Sequence, residues 1–247
     1  MEEIKDKEDN DDLNFFGHVE ELRKRIFIAL IWLVIGSAFA GYFIEPIMNS
    51  VLLAPATAAK IKLQNLRPFG IPFLYFKLIF IVGFIFSFPM ILHQLWKFIE
   101  PALYIQEKKW AGRITFFTSL CFITGVAFAY FLMIPSMLGF AATFGTEKIE
   151  NNIDINEYFG FITMMLLGAG IIFEMPMLSY VLTKFQVITP KFLVKYWRHS
   201  IIIIFILAAI LTPTPDPINQ MFFAFPLIIL YIISIWVSKL SYNTKNE

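Results

Sequence analysis

The sequence has one cysteine, Cys121, and three histidines, His18, His93 and His199. A lone cysteine excludes an intrachain disulfide and a cysteine-based metal site. The histidines fall at expected cytoplasmic helix ends, and none has an H-x-x-x-H or H-E-x-x-H neighbour, so neither a metal site nor an intramembrane metalloprotease is expected. G-x-S-x-G, G-x-x-x-x-G-K-[ST] and G-x-G-x-x-G stretches are missing as well, which leaves serine chemistry, ATP hydrolysis and dinucleotide binding without a visible motif. No enzyme activity and no cofactor are expected. Charge is scarce too: 16% of residues are Asp, Glu, Lys or Arg, and the formal net charge is +1. No bulk imbalance argues for nucleic acid or for an acidic substrate.

What the sequence has instead is apolar mass. It is 58% hydrophobic with 29 phenylalanines, and its mean hydropathy is +0.68, outside the composition of soluble domains. An all-α integral membrane protein is expected. Apolar runs begin at Ile26, Phe73, Ile114, Tyr158, Ile201 and Met221. A bilayer core of about 30 Å takes roughly 20 helical residues. Lys77 to Lys97, Arg113 to Pro135 and Tyr158 to Lys184 meet that length, and Ile26 to Ile44 meets it narrowly. The last two runs are shorter: 13 residues separate His199 from Pro213, roughly 20 Å of helix, and Met221 to Val237 gives roughly 25 Å. Six transmembrane helices are expected, with helices 5 and 6 short.

Basic residues set the orientation. Of the 20 lysines and arginines, 15 lie before helix 1, between helices 2 and 3, between helices 4 and 5, or after helix 6. Both termini therefore face the cytoplasm. The expected organisation is an acidic tail and amphipathic segment over 1–25, a six-helix domain over 26–238 and a tail over 239–247. The acidic start, Met1 to Asp12, is expected to be disordered. Two other layouts are weaker. Arg23-Lys24-Arg25 followed by apolar residues and Ala38-Phe39-Ala40 imitates a cleavable signal, but the preceding stretch is long and acidic. Helices 5 and 6 as a re-entrant hairpin would place the polar, proline-rich turn 212–217 at bilayer depth, where backbone is hard to satisfy.

Three polar stretches stand out in this apolar chain. In HVEELRKR, residues 18–25, Glu20/Lys24 and Glu21/Arg25 are i,i+4 pairs that support a helix; the alternative reading leaves one glutamate unpaired for a cationic partner. In WKFIEPALYIQEKKW, residues 96–110, Pro101 stops a helix. Trp96, Phe98, Tyr104 and Trp110 are what an interfacial belt supplies, while Glu100 and Glu107 are carboxylates where basic residues would be usual. In IIFEMPM, residues 171–177, Glu174 lies ten residues from Lys184, about 15 Å along a helix, and so near the midplane. An ionised carboxylate costs about 2.5 kcal/mol or more at that depth. Lys77 would snorkel outward rather than reach it. Glu174 is then either a neutral acid bonded to a hydroxyl such as Thr118 or Ser119, or a proton site. Pro176 leaves a carbonyl free near Ile172 and is expected to kink the helix.

His18-Val19-Glu20-Glu21-Leu22-Arg23, Phe98-Ile99-Glu100-Pro101-Ala102-Leu103-Tyr104 with Glu107, Phe173-Glu174-Met175-Pro176, and Leu211-Thr212-Pro213 leading to Asp216 together resemble the signature blocks of the TatC family, the signal-peptide receptor subunit of the twin-arginine translocase. The resemblance covers nearly the whole chain. It implies binding of paired-arginine signal peptides on folded precursors, with transport driven by the proton motive force. It also implies assembly with small single-span Tat subunits of the TatA/TatB type and with further copies of the chain, in a bacterial inner membrane and in contact with its lipid, with no role for nucleic acid. Carried over by position, Glu21 and Glu107 match the carboxylates that read the arginine pair, Arg23 the arginine after Glu-Leu, and Phe98, Pro101, Leu103 and Tyr104 the loop that shapes the site. Glu174 matches a site for a partner's single helix, and Pro55 and Asp216 match outer-loop positions. The chain departs from the family in Leu-Thr-Pro-Thr-Pro-Asp, one residue longer than usual, in the extra Glu100 and in Val19.

Two rival classes make different demands. A proton-coupled small-molecule transporter would also carry a buried carboxylate and helix prolines. It predicts an internal repeat, for which the sequence offers only Phe86-Ser87-Phe88-Pro89-Met90 against Phe173-Glu174-Met175-Pro176-Met177. A structural scaffold would leave the cytoplasmic carboxylates dispensable. The two short final helices suggest a bilayer thinned beside them.

Overall fold

The computed structural model describes residues 2–99, 111–143, 152–212 and 217–242, and the side chains of these apart from 2–16, 99, 111, 218, 219 and 222. Six long helices follow one another. Helix α1 is Glu2–Tyr42 and α2 is Gly70–Ile99. Helix α3 runs as Ala111–Phe128, a π turn Ala129–Met133 and Ile134–Ala142. Helix α4 is Ile155–Ile172 and, after a break, Met175–Lys184. Helix α5 is Trp197–Leu211 and α6 is Pro217–Ser241. Five stretches on α1, α2, α3, α4 and α6 are long and apolar enough to cross a membrane, and α5, with 15 residues, is shorter. The apolar run of α6 is short, as expected, but its helix is not. It extends beyond Met221 and Val237 to reach 25 residues, because apolar run length and helix length are set by different residues.

A second difference lies at the start. Helix α1 already begins at Glu2, so the segment expected to be disordered is helical. Glu and Lys are good helix formers, and acidic residues at a helix start complement its positive end.

The chain divides into two compact units, Met1–Tyr42 with Ile79–Ser119, and Phe43–Leu78 with Leu120–Glu247. In the first, α1 and α2 cross where neither has a side chain to spare. A Cβ on Gly36 would collide with the Ser87 hydroxyl, and one on Gly83 would stand 2.5 Å from Ser37 Cα. The Ser87 hydroxyl donates to the Trp32 carbonyl across this crossing at 2.7 Å. Between helices in lipid, close packing and such hydrogen bonds replace the hydrophobic effect. The lipid-facing surface is correspondingly apolar, with Phe27, Phe73, Phe76 and Phe131 all more than 60% exposed.

The second unit is built on α4, whose Tyr158, Phe159, Ile162 and Met165 are buried. Asp154 caps its start, accepting from the Asn156 backbone N–H at 2.6 Å. A short parallel ladder lies beside this cap: β1, Lys62–Gln64, pairs with β2, Asn152–Asp154, Lys62 opposite Asn152 and Gln64 opposite Asp154. The lower part of α4 packs along α6, tied by the Thr183 and Ser238 hydroxyls at 2.6 Å and by Ser241 donating to the Tyr180 carbonyl. Helix α5 joins α6 through Gln220, which donates to the Phe205 carbonyl at 2.9 Å.

Candidate functional site

At the cytoplasmic end of α1, the Glu21 carboxylate accepts one contact from the Arg25 guanidinium, Nη2 to Oε1 at 3.2 Å. Both side chains are about one quarter exposed, 27% and 24%. The spacing is one helical turn, so the pair follows from the sequence. The pairing is incomplete: Arg25 Nε is buried without a partner. Of the two glutamates, Glu20 is the exposed one and has no ion pair among the described residues. The carboxylate singled out for recognition is therefore the occupied one, and the free one is its neighbour. Arg23 and Lys24 are exposed beside them.

The end of α2 lies in the same unit. Phe98 is half-buried. Trp96 is 6% exposed, its Nε1 without an acceptor among the described residues, and so does not belong to an interfacial belt as expected. Gln94 is also buried, and its Oε1 lacks a donor among the described residues. Neither had been expected at a site, although Gln94 is a polar residue inside an apolar helix and was legible as such. Pro101, Leu103, Tyr104 and Glu107 lie outside the described residues, as do Glu100 and Trp110.

The second candidate is Glu174. Helix α4 breaks at Phe173–Glu174, as Pro176 predicts, because proline has no N–H to return to the Ile172 carbonyl. The Glu174 N–H reaches back three residues to the Ile171 carbonyl at 3.1 Å, and its own carbonyl accepts from Leu178 at 2.8 Å. The backbone is thus satisfied while the side chain is not. Glu174 is 6% exposed, and both carboxylate oxygens are buried with no hydrogen-bond partner among the described residues. The hydroxyls expected to serve it donate within their own helix, Thr118 to Ile114 and Ser119 to Thr115, and neither is a partner of the carboxyl group. Lys77 is exposed. Above the break α4 is held rigidly against α3. A Cβ on Gly125 would stand 2.6 Å from the Ala169 carbonyl, and the Phe128 and Phe173 rings pack at a tilt of 37° with centroids 5.2 Å apart. The carboxyl group sits at the N-terminal end of the lower helical segment, where the helix dipole favours a negative group.

The likeness between residues 86–90 and 173–177 does not extend to structure. Pro89 lies inside a continuous α2, whereas Pro176 follows a break in α4.

On the outer side, Pro55 is buried at the start of the short helix Ala54–Ala58. It follows a π turn, Met48–Leu52. Having no N–H, Pro55 cannot bond the carbonyl four residues earlier, that of Val51. The Tyr130 hydroxyl, from the π turn of α3, donates to it at 2.9 Å, and the Tyr158 hydroxyl donates to the adjacent Leu52 carbonyl at 2.7 Å. Sequence reasoning found the proline but not the two tyrosines that answer it. Asp216 lies outside the described residues. Beside the parallel ladder, the Asn156 backbone N–H holds Asp154 below the usual carboxylate range, helped by the Asn156 side chain and the charge of Arg67. Among the described residues no cluster of histidine, cysteine and carboxylate side chains could hold a metal ion.

Comparison with known proteins gives one consistent result. A family model described as Sec-independent protein translocase protein (TatC) matches residues 17–226. The Sec-independent protein translocase protein TatC of Carboxydothermus hydrogenoformans is 37% identical over 227 residues, 92% of this chain and 93% of that one. The protein of the same description from Helicobacter pylori strain 26695 is 38% identical over 90% of this chain and 86% of its own. Among solved structures, a crystal structure of the twin arginine translocase receptor TatC has a TM-score of 0.78 and 38% identity, covering 91% of this chain and 99% of its own. A second, determined in the detergent DDM, has a TM-score of 0.79 and 36% identity, covering 90% and 99%.

Proposed function

The chain belongs to the TatC family of Sec-independent protein translocase proteins, and from that membership we propose that it is the receptor that binds paired-arginine signal peptides through Glu21 and Glu107. It is a multi-pass protein of the bacterial inner membrane and a component of the twin-arginine translocase. On this reading Arg23, Phe98, Pro101, Leu103 and Tyr104 shape the cytoplasmic site. Glu174 receives a polar group from a single-span partner subunit, and Pro55 and Asp216 serve the outer face. Several copies assemble, and the proton motive force drives transport of folded precursors.

One observation supports the recognition role most. Glu21 already holds a guanidinium, that of Arg25, by a single contact at 3.2 Å. A carboxylate with two oxygens can take a guanidinium fork in two parallel bonds, so the native contact uses half of what Glu21 offers. An arginine of the signal replaces a one-contact partner with a bidentate one. A lysine ammonium is a point donor and cannot reproduce that exchange. The internal pair itself is weak, since part-exposed ion pairs contribute about 0–1 kcal/mol. It therefore acts as a light internal competitor. It raises the apparent dissociation constant of every cationic ligand by one common factor.

The test is binding of a paired-arginine signal peptide and of its paired-lysine version to the full chain. Glu21→Lys and Glu107→Lys are each expected to abolish the preference for arginine. Arg25→Gln is expected to tighten both peptides about 2- to 5-fold while leaving their ratio unchanged. Undiminished arginine preference in both charge-swapped variants would remove the carboxylates from recognition.

A further inference from the structure

Between Met175 and Pro215 the chain has no aspartate or glutamate, but it has Lys184, Lys191, Lys195, Arg198 and His199. Lys191 and Lys195 lie on the connection between α4 and α5, with Lys184 at the end of α4 and Arg198 and His199 in the first turn of α5. The short helix Pro190–Lys195 opens with Thr189, whose hydroxyl accepts from the Phe192 N–H at 3.2 Å. It is fastened from behind, because Pro190 is buried and the Leu193 carbonyl accepts the Tyr231 hydroxyl at 2.7 Å. With the inner side fixed, the outer side consists of cations and apolar groups together. Phe192, Val194, Tyr196 and Trp197 are 38–50% exposed. Lys195 Nζ stands 5.7 Å from the Tyr196 ring centre and Arg198 Cζ 5.8 Å from that of Trp197. The Phe192 and Tyr196 rings pack against each other at a tilt of 49°, with centroids 4.6 Å apart.

Water suits this surface poorly. Exposed aromatic and aliphatic groups in one patch mark a contact with something apolar, and cations in a stretch of chain that carries no acidic residue mark something anionic. The signal peptide is excluded by its own positive charge. The partner must be anionic at one depth and apolar just beneath, which is the construction of an acidic phospholipid at the membrane boundary. The patch also lies in the right place, on the cytoplasmic side at the first residue of α5.

We propose that Lys195, Arg198, Tyr196 and Trp197 form a binding site for the headgroup of an anionic phospholipid of the cytoplasmic leaflet, with Phe192 and Val194 against the tops of its acyl chains. The site has a mechanical consequence. Helix α5 has 15 residues, about 22 Å against a hydrocarbon core of about 30 Å. A headgroup held at Trp197 fixes the leaflet surface at the start of a helix too short for the membrane, so the bilayer thins there rather than the helix tilting freely.

The test uses the full chain in nanodiscs containing phosphatidylglycerol or phosphatidylcholine brominated near the top of the acyl chains. Trp197 fluorescence is obtained as the difference between the parent and Trp197→Phe. Quenching by brominated phosphatidylglycerol is expected to exceed that by phosphatidylcholine, reflecting local enrichment on the order of 10-fold from two cations. The preference should vanish in Lys195→Gln/Arg198→Gln, survive in Lys195→Arg and survive in Lys239→Gln, which removes an exposed cation elsewhere on the same side. Equal quenching by both lipids would overturn the proposal, as would an equal loss in Lys239→Gln, which means diffuse surface charge. Absence of quenching by either lipid, with an acidic aromatic peptide shifting Trp197 emission instead, would reassign the patch to a protein partner.

Discussion

Glu174 shows how one residue divides the two requirements of a membrane helix. Its backbone is fully bonded despite the Pro176 break, and its carboxyl group, buried in the middle of α4, has no partner among the described residues. An unpartnered acid at that depth is costly unless another molecule completes it, which is what docking a polar group of a single-span subunit would do. Glu174→Gln keeps a hydrogen-bonding group but removes the charge-assisted part. It should weaken partner binding about 5-fold, and Glu174→Leu about 10- to 100-fold. Signal-peptide binding should stay at the parental level in both, as measured by co-purification of partner and by peptide titration. Parental partner affinity in the Leu variant would remove Glu174 from the docking surface.

Among the elements, the two π turns are informative because each precedes a proline by a few residues: Met48–Leu52 before Pro55 and Ala129–Met133 before Pro135. A proline clashes with the carbonyl four residues back, and widening the helix there relieves the clash. At Pro55 the released Val51 carbonyl is taken by Tyr130. Tyr130→Phe should therefore speed amide hydrogen exchange in residues 48–58 about 5-fold, the worth of one hydrogen bond of about 1 kcal/mol. Pro55→Ala gives Val51 a backbone donor again, so adding Tyr130→Phe to it should cost less than in the parent. Strictly additive effects in this double-mutant cycle would disconnect the tyrosine from the proline.

For the whole molecule, the parallel ladder is a backbone tie of long range, since it joins residues 62–64 to residues 152–154. Asp154 closes it onto α4. The Asn156 N–H and the neighbouring charge of Arg67 lower its proton affinity in the folded protein. A lowered carboxylate stabilises the fold above its unfolded value of about 3.9 and loses that contribution as pH falls through the folded value. Asp154→Asn should accordingly lower the melting temperature at pH 7, with the gap to the parent closing below about pH 4. A gap that persists unchanged at low pH would show that charge has no part in it.

The sequence by itself determined what depends on local spacing and on the bilayer. Six helices, their orientation, the break at Pro176 and the i,i+4 reach from Glu21 to Arg25 all follow from helical period, proline chemistry and the placing of basic residues. Its misjudgements concerned groups whose partners are distant in the chain. An aromatic such as Trp96 looks interfacial until packing buries it. Thr118 and Ser119 look like partners for Glu174, but their hydroxyls donate within their own helix and neither bonds the carboxyl group. Tertiary structure alone decided which carbonyl Tyr130 reaches, how closely Gly36 and Gly83 let two helices approach, and that Glu174 is left without a partner among the described residues. Those outcomes rest on contacts between residues dozens of positions apart, and no local period encodes them.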